Sequence, residues 1–214
     1  MAKKIALCVQ RTRLEKAFGG TIPIGFSVGR DFFETAADVF KKSGKFLERE
    51  IIESDEKILQ VIVYGIVSDG KRVLGLVRKN REKDAGEFKE TRLNNKIGLA
   101  AGGHVDSVED LNESDFFGSE MLREFSEELT FSEPPKPVPI GIVMYEETSI
   151  DRVHMGLIYK VVAKENSVRL AQNNDEYDRC MFLLPADLEP IKEQMEGWGK
   201  VIAEAIVSGR FKLD

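Results

Sequence analysis

From residue 58 to residue 67 the chain is apolar at every position except Gln60 and Gly65. A short apolar run that does not alternate predicts a strand covered on both faces. Ser68-Asp69-Gly70-Lys71 then supplies a hairpin turn, and residues 72–78 a return strand. Residues 31–42 follow a helical period instead. Phe32 or Phe33, Ala36 and Phe40 recur on one face, and Gly44 is placed to stop the helix. Gly19, Gly20, Pro23, Gly25 and Gly29 mark looped chain ahead of it. Residues 79–95 are polar and charged and read as a long loop, and 96–101 read as a short strand leading into a Gly102-Gly103 loop.

Further on, Pro134, Pro135, Pro137 and Pro139 interrupt the chain. Residues 138–145 and 153–163 predict a strand pair, and 181–184 a short strand ending at Pro185. Residues 186–206 predict a helix with Leu188, Ile191, Met195, Trp198, Ile202 and Ala205 on one stripe, which Gly197 and Gly199 are placed to kink. The stripe and the phenylalanines read most simply as core. With an acidic helix in between, the order of elements predicts an α+β layer fold.

At 214 residues the chain is long enough for one generous domain with a buried core. Its 42% apolar and 32% charged residues fit an ordinary globular protein. A net charge of −6 argues against sequence-independent nucleic-acid binding, which needs a basic face. It also means that any phosphate handled here must be met by metal or by a few local cations. Cys8 and Cys180 fall in no metal-ligand spacing and predict reduced thiols in a cytoplasmic protein. The apolar start Ile5-Ala6-Leu7-Cys8-Val9 ends at Gln10 and Arg11, too soon for a signal peptide, and no segment approaches the ~20 apolar residues that span a bilayer. No membrane partner is expected.

The chemistry is concentrated between residues 103 and 131. Glu124, Glu127 and Glu128 stand three and four residues apart, hence on one face of a helix. Like charges at that spacing repel by roughly 0.2–0.5 kcal/mol per pair. A hard divalent cation would convert the repulsion into binding, because it takes carboxylate oxygens and leaves room for water and phosphate. The bland reading is an acidic surface helix; the Gly102-Gly103 element and Arg123 beside the acids favour the metal.

The stretch resembles the Nudix box, Gly-x5-Glu-x7-Arg-Glu-U-x-Glu-Glu-x-Gly-U with U a bulky apolar residue. Gly103 and Glu109 match its front; Arg123, Glu124, Phe125, Glu127, Glu128 and Phe131 match its back. There are two departures: the spacer between Glu109 and Arg123 is longer than the pattern allows, and Thr130 stands where the pattern has Gly. A β-branched residue disfavours the left-handed backbone that such a Gly would adopt, so the helix is expected to end on a different cap. Residues 46–64, with Arg49, Glu53, Gln60 and Tyr64, also resemble the lead-in of an uncharacterised group of Nudix phosphoesterases.

The resemblance implies an α/β/α sandwich with a mixed sheet between helices, over residues 57–214, with 1–56 as an extension packed on it. It implies a Mg²⁺-dependent (Mn²⁺ also fitting) hydrolase that cleaves a diphosphate linkage in a nucleoside diphosphate derivative or related small phosphate ester. Glu124, Glu127, Glu128 and the Gly103 carbonyl would hold the metal, and Arg123 would pair with the first glutamate of the box. Glu109 is favoured as that partner and Asp115 is the alternative. The proton acceptor stays open among Glu127, Glu128, Glu146, Glu147, Asp175 and Glu176. Arg78, Lys79 and Arg81 either meet substrate phosphates or form a solvated strand end; His104 either touches substrate or is structural; His154 reads as packed in the sheet. The competing readings are a non-catalytic Nudix-fold binding or regulatory domain and an isomerase-type relative, for which neither cysteine is well placed. Homodimerisation stays open.

Overall fold

The computed structural model describes residues 4–80, 93–106, 111 and 113–214. The chain opens with β1 (Ile5–Gln10), α1 (Arg11–Ala17), β2 (Gly25–Val28), α2 (Arg30–Ser43), β3 (Lys45–Glu48) and α3 (Arg49–Ile52). There follow β4 (Ile58–Ser68), β5 (Val73–Arg78), β6 (Ile97–Gly98), β7 (Ala101–His104), α4 (Phe116–Glu128) and β8 (Leu129–Phe131). The last part holds β9 (Val138–Met144), β10 (His154–Val162), β11 (Val168–Leu170), β12 (Tyr177–Leu183), α5 (Pro185–Leu188) and α6 (Gly197–Val207).

The unbroken apolar run of β4 becomes the spine of a ten-stranded mixed sheet ordered β12-β5-β4-β10-β9-β2. One edge of β4 pairs parallel with β10 along its length, Gln60 opposite His154 to Ser68 opposite Val162. The other edge is shared by three antiparallel partners: β1 at 58–60, β7 at 62–65, and β5 at Ser68. A strand paired on both edges and covered on both faces has no polar side, which is why its sequence does not alternate.

Helices cover both faces. α1, α2 and α4 bring Leu14, Phe33, Phe40, Phe116, Met121 and Phe125 into one core with Val61 and Val63. α5 and α6 bring Leu188, Trp198 and Ile202 against Tyr64, Ile66 and Ile158 in a second core. The result is the expected α/β/α sandwich. β1 and β2 are strands of this same sheet, so residues 5–10 and 25–28 are built into it through β4 and β9. No helix among the described residues is long and apolar enough to cross a membrane.

Three expectations change. Residues 186–206 are not one helix: α5 stops at Leu188, and α6 starts at Gly197. Pro190, which has no backbone N–H, lies in the gap, and Glu196 there donates its N–H to Ile97 O at 3.0 Å. The Gly102-Gly103 pair is not a loop but the middle of β7. The strand expected at 181–184 begins at Tyr177, whose buried ring sits beyond the exposed Asp178 and Arg179 that hide it in the sequence. Most of the loop expected at 79–95 lies outside the described residues.

Candidate active site

α4 forms because Phe116, Phe117, Met121 and Phe125 recur at helical spacing and bury against the sheet. That packing turns the flank carrying Glu124 and Glu128 toward β7. Both are buried, at 8% and 6% exposure, while Glu127 lies outside with its side chain 58% exposed.

β7 passes close to these carboxylates because it carries two glycines. Gly102 has φ +147, and a Cβ there would lie 2.0 Å from Val63 O. Its N–H donates to Glu128 Oε2 at 2.8 Å. A Cβ on Gly103 would lie 2.5 Å from Glu124 Oε2. The strand therefore presents bare backbone to two buried acids.

Arg123 is the hub of the outer flank. Its Nη2 donates to Glu124 Oε1 at 2.5 Å, to Glu120 Oε2 at 3.1 Å and to the carbonyl of His104 at 3.1 Å, and its Nη1 donates to Glu127 Oε1 at 2.9 Å. Asp106 Oδ1 stands 3.2 Å from Nη2. The sequence reading missed Glu120, which is buried, and Asp106; Glu120 lies three residues before Arg123, an offset that places it on the same helical flank. Asp115 is not among these partners. It precedes the first turn of α4, with its carboxylate against Gly118. The alternative pairing of Arg123 with Asp115 is thus corrected: the helix begins at Phe116, which leaves Asp115 two turns from Arg123. Glu109, the favoured partner, lies outside the described residues, as does Arg81.

Burial pushes the Glu124 carboxyl up to about 7, opposed by Arg123 and assisted by Glu127. Burial raises Glu128 well above the ordinary range too, with Glu176 and Glu124 adding to it. For Arg123, burial works against the charge, but Glu124 and Glu120 outweigh it and hold the guanidinium firmly protonated.

Arg123, Glu124, Glu127 and Glu128 line a cleft of about 520 Å³ together with Gly103, His104, Asp175 and Glu176. Glu146 and Glu147 are not part of it; Glu146 pairs with Arg11 at 2.8 Å. Arg78 and Lys79 do not line it either. Arg78 Nε donates to Glu196 at 2.6 Å, its Nη1 binds Glu176, and its guanidinium lies 4.9 Å from the Tyr177 ring centre. Lys79 Nζ donates to Asn174 O at 2.8 Å. Both cations brace the 173–176 loop, so their placement as a solvated strand end is corrected.

His104 lines the cleft and His154 lies buried behind it. His154 Nδ1 is 2.8 Å from the carbonyl of Ile150, which can only accept, so Nδ1 bears a proton. Burial lowers the pKa of both rings and so favours their uncharged form. Nε2 of neutral His154 then accepts from Nε2–H of His104 across 3.0 Å.

The helix end explains Thr130. Leu129, at φ −128 and ψ 149, is already extended, and β8 pairs with β11 with Thr130 opposite Arg169. No left-handed residue is needed, and a β-branched one suits a strand.

The donor chemistry suits a hard divalent cation. The acids supply oxygen ligands, and two of them are held toward their protonated form, a state that a bound cation would relieve. As the side chains stand, no group of three or more His, Cys, Asp or Glu among the described residues converges on one point, and Arg123 occupies Glu124 Oε1.

A mixed sheet thus lies between helical layers, with an Arg-Glu-x-x-Glu-Glu helix laid against a Gly-Gly strand. The crystal structure of Tm1382, a candidate Nudix hydrolase, is similar to this chain with a TM-score of 0.72 and 27% identity, covering 97% of this chain and 100% of that one. Protein YmaB of Bacillus subtilis strain 168 is 24% identical over 164 residues, which are 75% of this chain and 77% of that protein. No family model matches the sequence. In fold and over nearly its whole length, this chain is similar to that candidate Nudix hydrolase.

Proposed function

We propose that this protein is a divalent-metal-dependent hydrolase that cleaves a diphosphate linkage in a nucleoside diphosphate derivative or a related small phosphate ester. The observation that carries the reading is the burial of Glu124 and Glu128 side by side against Gly102 and Gly103, at the wall of a cleft large enough for a small phosphorylated molecule. Two buried acids that resist ionisation are a costly feature unless something cationic joins them.

Glu124, Glu127, Glu128 and the Gly103 carbonyl are the proposed ligands of Mg²⁺ or Mn²⁺. Bound there, such a cation neutralises phosphate charge and acidifies a water. Arg123 would keep its hold on α4 and the end of β7 through Glu120, Glu127 and the His104 carbonyl, so that Glu124 could serve as a ligand. Glu127, Glu128, Asp175 and Glu176 are the candidates for taking the water's proton; Glu146 and Glu147 lie outside the cleft. Two free cysteines, Cys8 and Cys180, favour a reducing cytoplasm as the place of work.

The test is a screen of nucleoside and non-nucleoside diphosphates with Mg²⁺, with Mn²⁺ and with chelator. Metal-dependent release of monophosphate products from at least one of them is expected. Tight, metal-dependent binding of the same compounds without turnover would overturn the reading and favour a binding domain.

A further inference from the structure

The cleft has a second wall that the acidic helix does not explain. Lys4 and Arg49 line it along with Glu124, Glu127 and Glu128, yet both precede β4 in sequence. They are held as a pair, because the Arg49 N–H donates to the Lys4 carbonyl at 3.0 Å where β1 lies beside β3. The Arg49 guanidinium is only partly used by the protein. Its Nη2 meets Glu53 at 2.7 Å, and its Nε is buried with no acceptor among the described residues. Lys4 is exposed.

An acidic protein that binds a polyanion needs local cations. A planar guanidinium with spare donors matches phosphate oxygens, and a lysine adds a point charge. Metal at the carboxylate wall would suffice for the scissile diphosphate alone. We infer that Lys4 and Arg49 form an anion subsite that binds a phosphate of the substrate outside the diphosphate handled at Glu124, Glu127 and Glu128. The preferred substrates are then small molecules that carry a further phosphate besides the diphosphate. The inference rests on the hydrolase reading for the substrate class; the subsite itself does not.

Two measurements separate those levels. In the first, inorganic pyrophosphate is titrated calorimetrically into the full chain with excess chelator, so no metal takes part. Arg49→Gln should weaken binding about tenfold or more, the scale of a lost charge-assisted hydrogen bond. Arg49→Lys should recover part of the loss, Lys4→Gln should weaken binding severalfold, and Glu128→Gln should not weaken it. Lys4 is exposed, so that variant reports even if Arg49→Gln unfolds. Absence of binding by the wild type, or equal affinity in Lys4→Gln and the wild type, would overturn the subsite. In the second, kcat/KM is compared for two diphosphates that differ only by an additional phosphate. The wild-type preference for the more phosphorylated compound should fall about tenfold in Arg49→Gln. An unchanged preference would overturn the substrate class while the hydrolase reading stands; turnover of neither compound would count against the hydrolase reading, with the pyrophosphate titration still deciding the subsite.

Discussion

Gly102 and Glu128 are joined by a 2.8 Å hydrogen bond from backbone N–H to carboxylate, although they lie on different elements. The bond fixes the last residue of α4 against the middle of β7, and it exists because Gly102 takes a backbone conformation that side chains disfavour. Gly102→Ala must both hold a strained φ, at about 1–3 kcal/mol, and relieve a contact with Val63 O. We expect urea denaturation to show a loss of at least about 2 kcal/mol, or no soluble protein. A wild-type midpoint would show that β7 is less constrained than its geometry states.

Gly103→Ala has a different consequence. Gly103 is not in the left-handed region, so the backbone accepts Ala, but the new Cβ meets Glu124 Oε2. The expected result is a folded protein with a displaced Glu124 and at least about tenfold lower kcat/KM at saturating metal, the scale of a misplaced catalytic group. Circular dichroism and steady-state kinetics on one preparation check it; unaltered kinetics would mean Glu124 does not act from this position.

The raised Glu124 carboxyl predicts a pH dependence with a definite sign. The folded state holds this proton more tightly than the unfolded chain does: about 7 against an ordinary 4.5. Its contribution to stability is therefore most favourable below about pH 4.5 and declines as pH rises to about 7, by an amount on the order of 3 kcal/mol. Glu128 acts in the same direction. In chelator, Glu124→Gln should gain on the wild type by one to a few kcal/mol (about) between pH 5 and 8, and Mg²⁺ should shrink that gain. A stability difference that is flat with pH would contradict the burial argument.

Arg123→Lys keeps the charge but loses the planar fork that reaches Glu120, Glu124, Glu127 and the His104 carbonyl together. Leaving buried Glu120 and Glu124 partly uncompensated should cost about 1–3 kcal/mol, less than for a fully buried pair because Arg123 is partly exposed. Thermal unfolding checks the direction; an unchanged midpoint would mean the fork is dispensable.

Much of this was legible in the sequence where the signal is local. The spine β4 follows from an unbroken apolar run, and α4 from acids at helical spacing. The break of the last helix at Pro190 is equally local, but the apolar stripe runs in phase across it and masks it. β8 and β11 are three-residue strands, too short for any period to register. The conversion of Gly102-Gly103 from loop to strand depends on how closely β7 approaches Val63 and Glu124, a tertiary fact. The cleft's second wall is tertiary as well: Arg49 stands out in the sequence only through the 46–64 resemblance and Lys4 not at all, and they line the cleft with the acids of α4 because β1 is stitched to β4 beside β7.

The central claim is that the buried acids of α4 perform metal-dependent diphosphate hydrolysis, and Glu128→Gln tests it most directly. Glutamine keeps the volume and can still accept from Gly102, so the α4–β7 contact survives while one buried charge disappears. Product release from the best screened diphosphate, with saturating Mg²⁺, should fall on the order of 10²-fold or more. The unfolding temperature should hold or rise, because a desolvated acid beside Glu124 is gone. Equal turnover in the variant and the wild type would place the chemistry elsewhere and contradict the account.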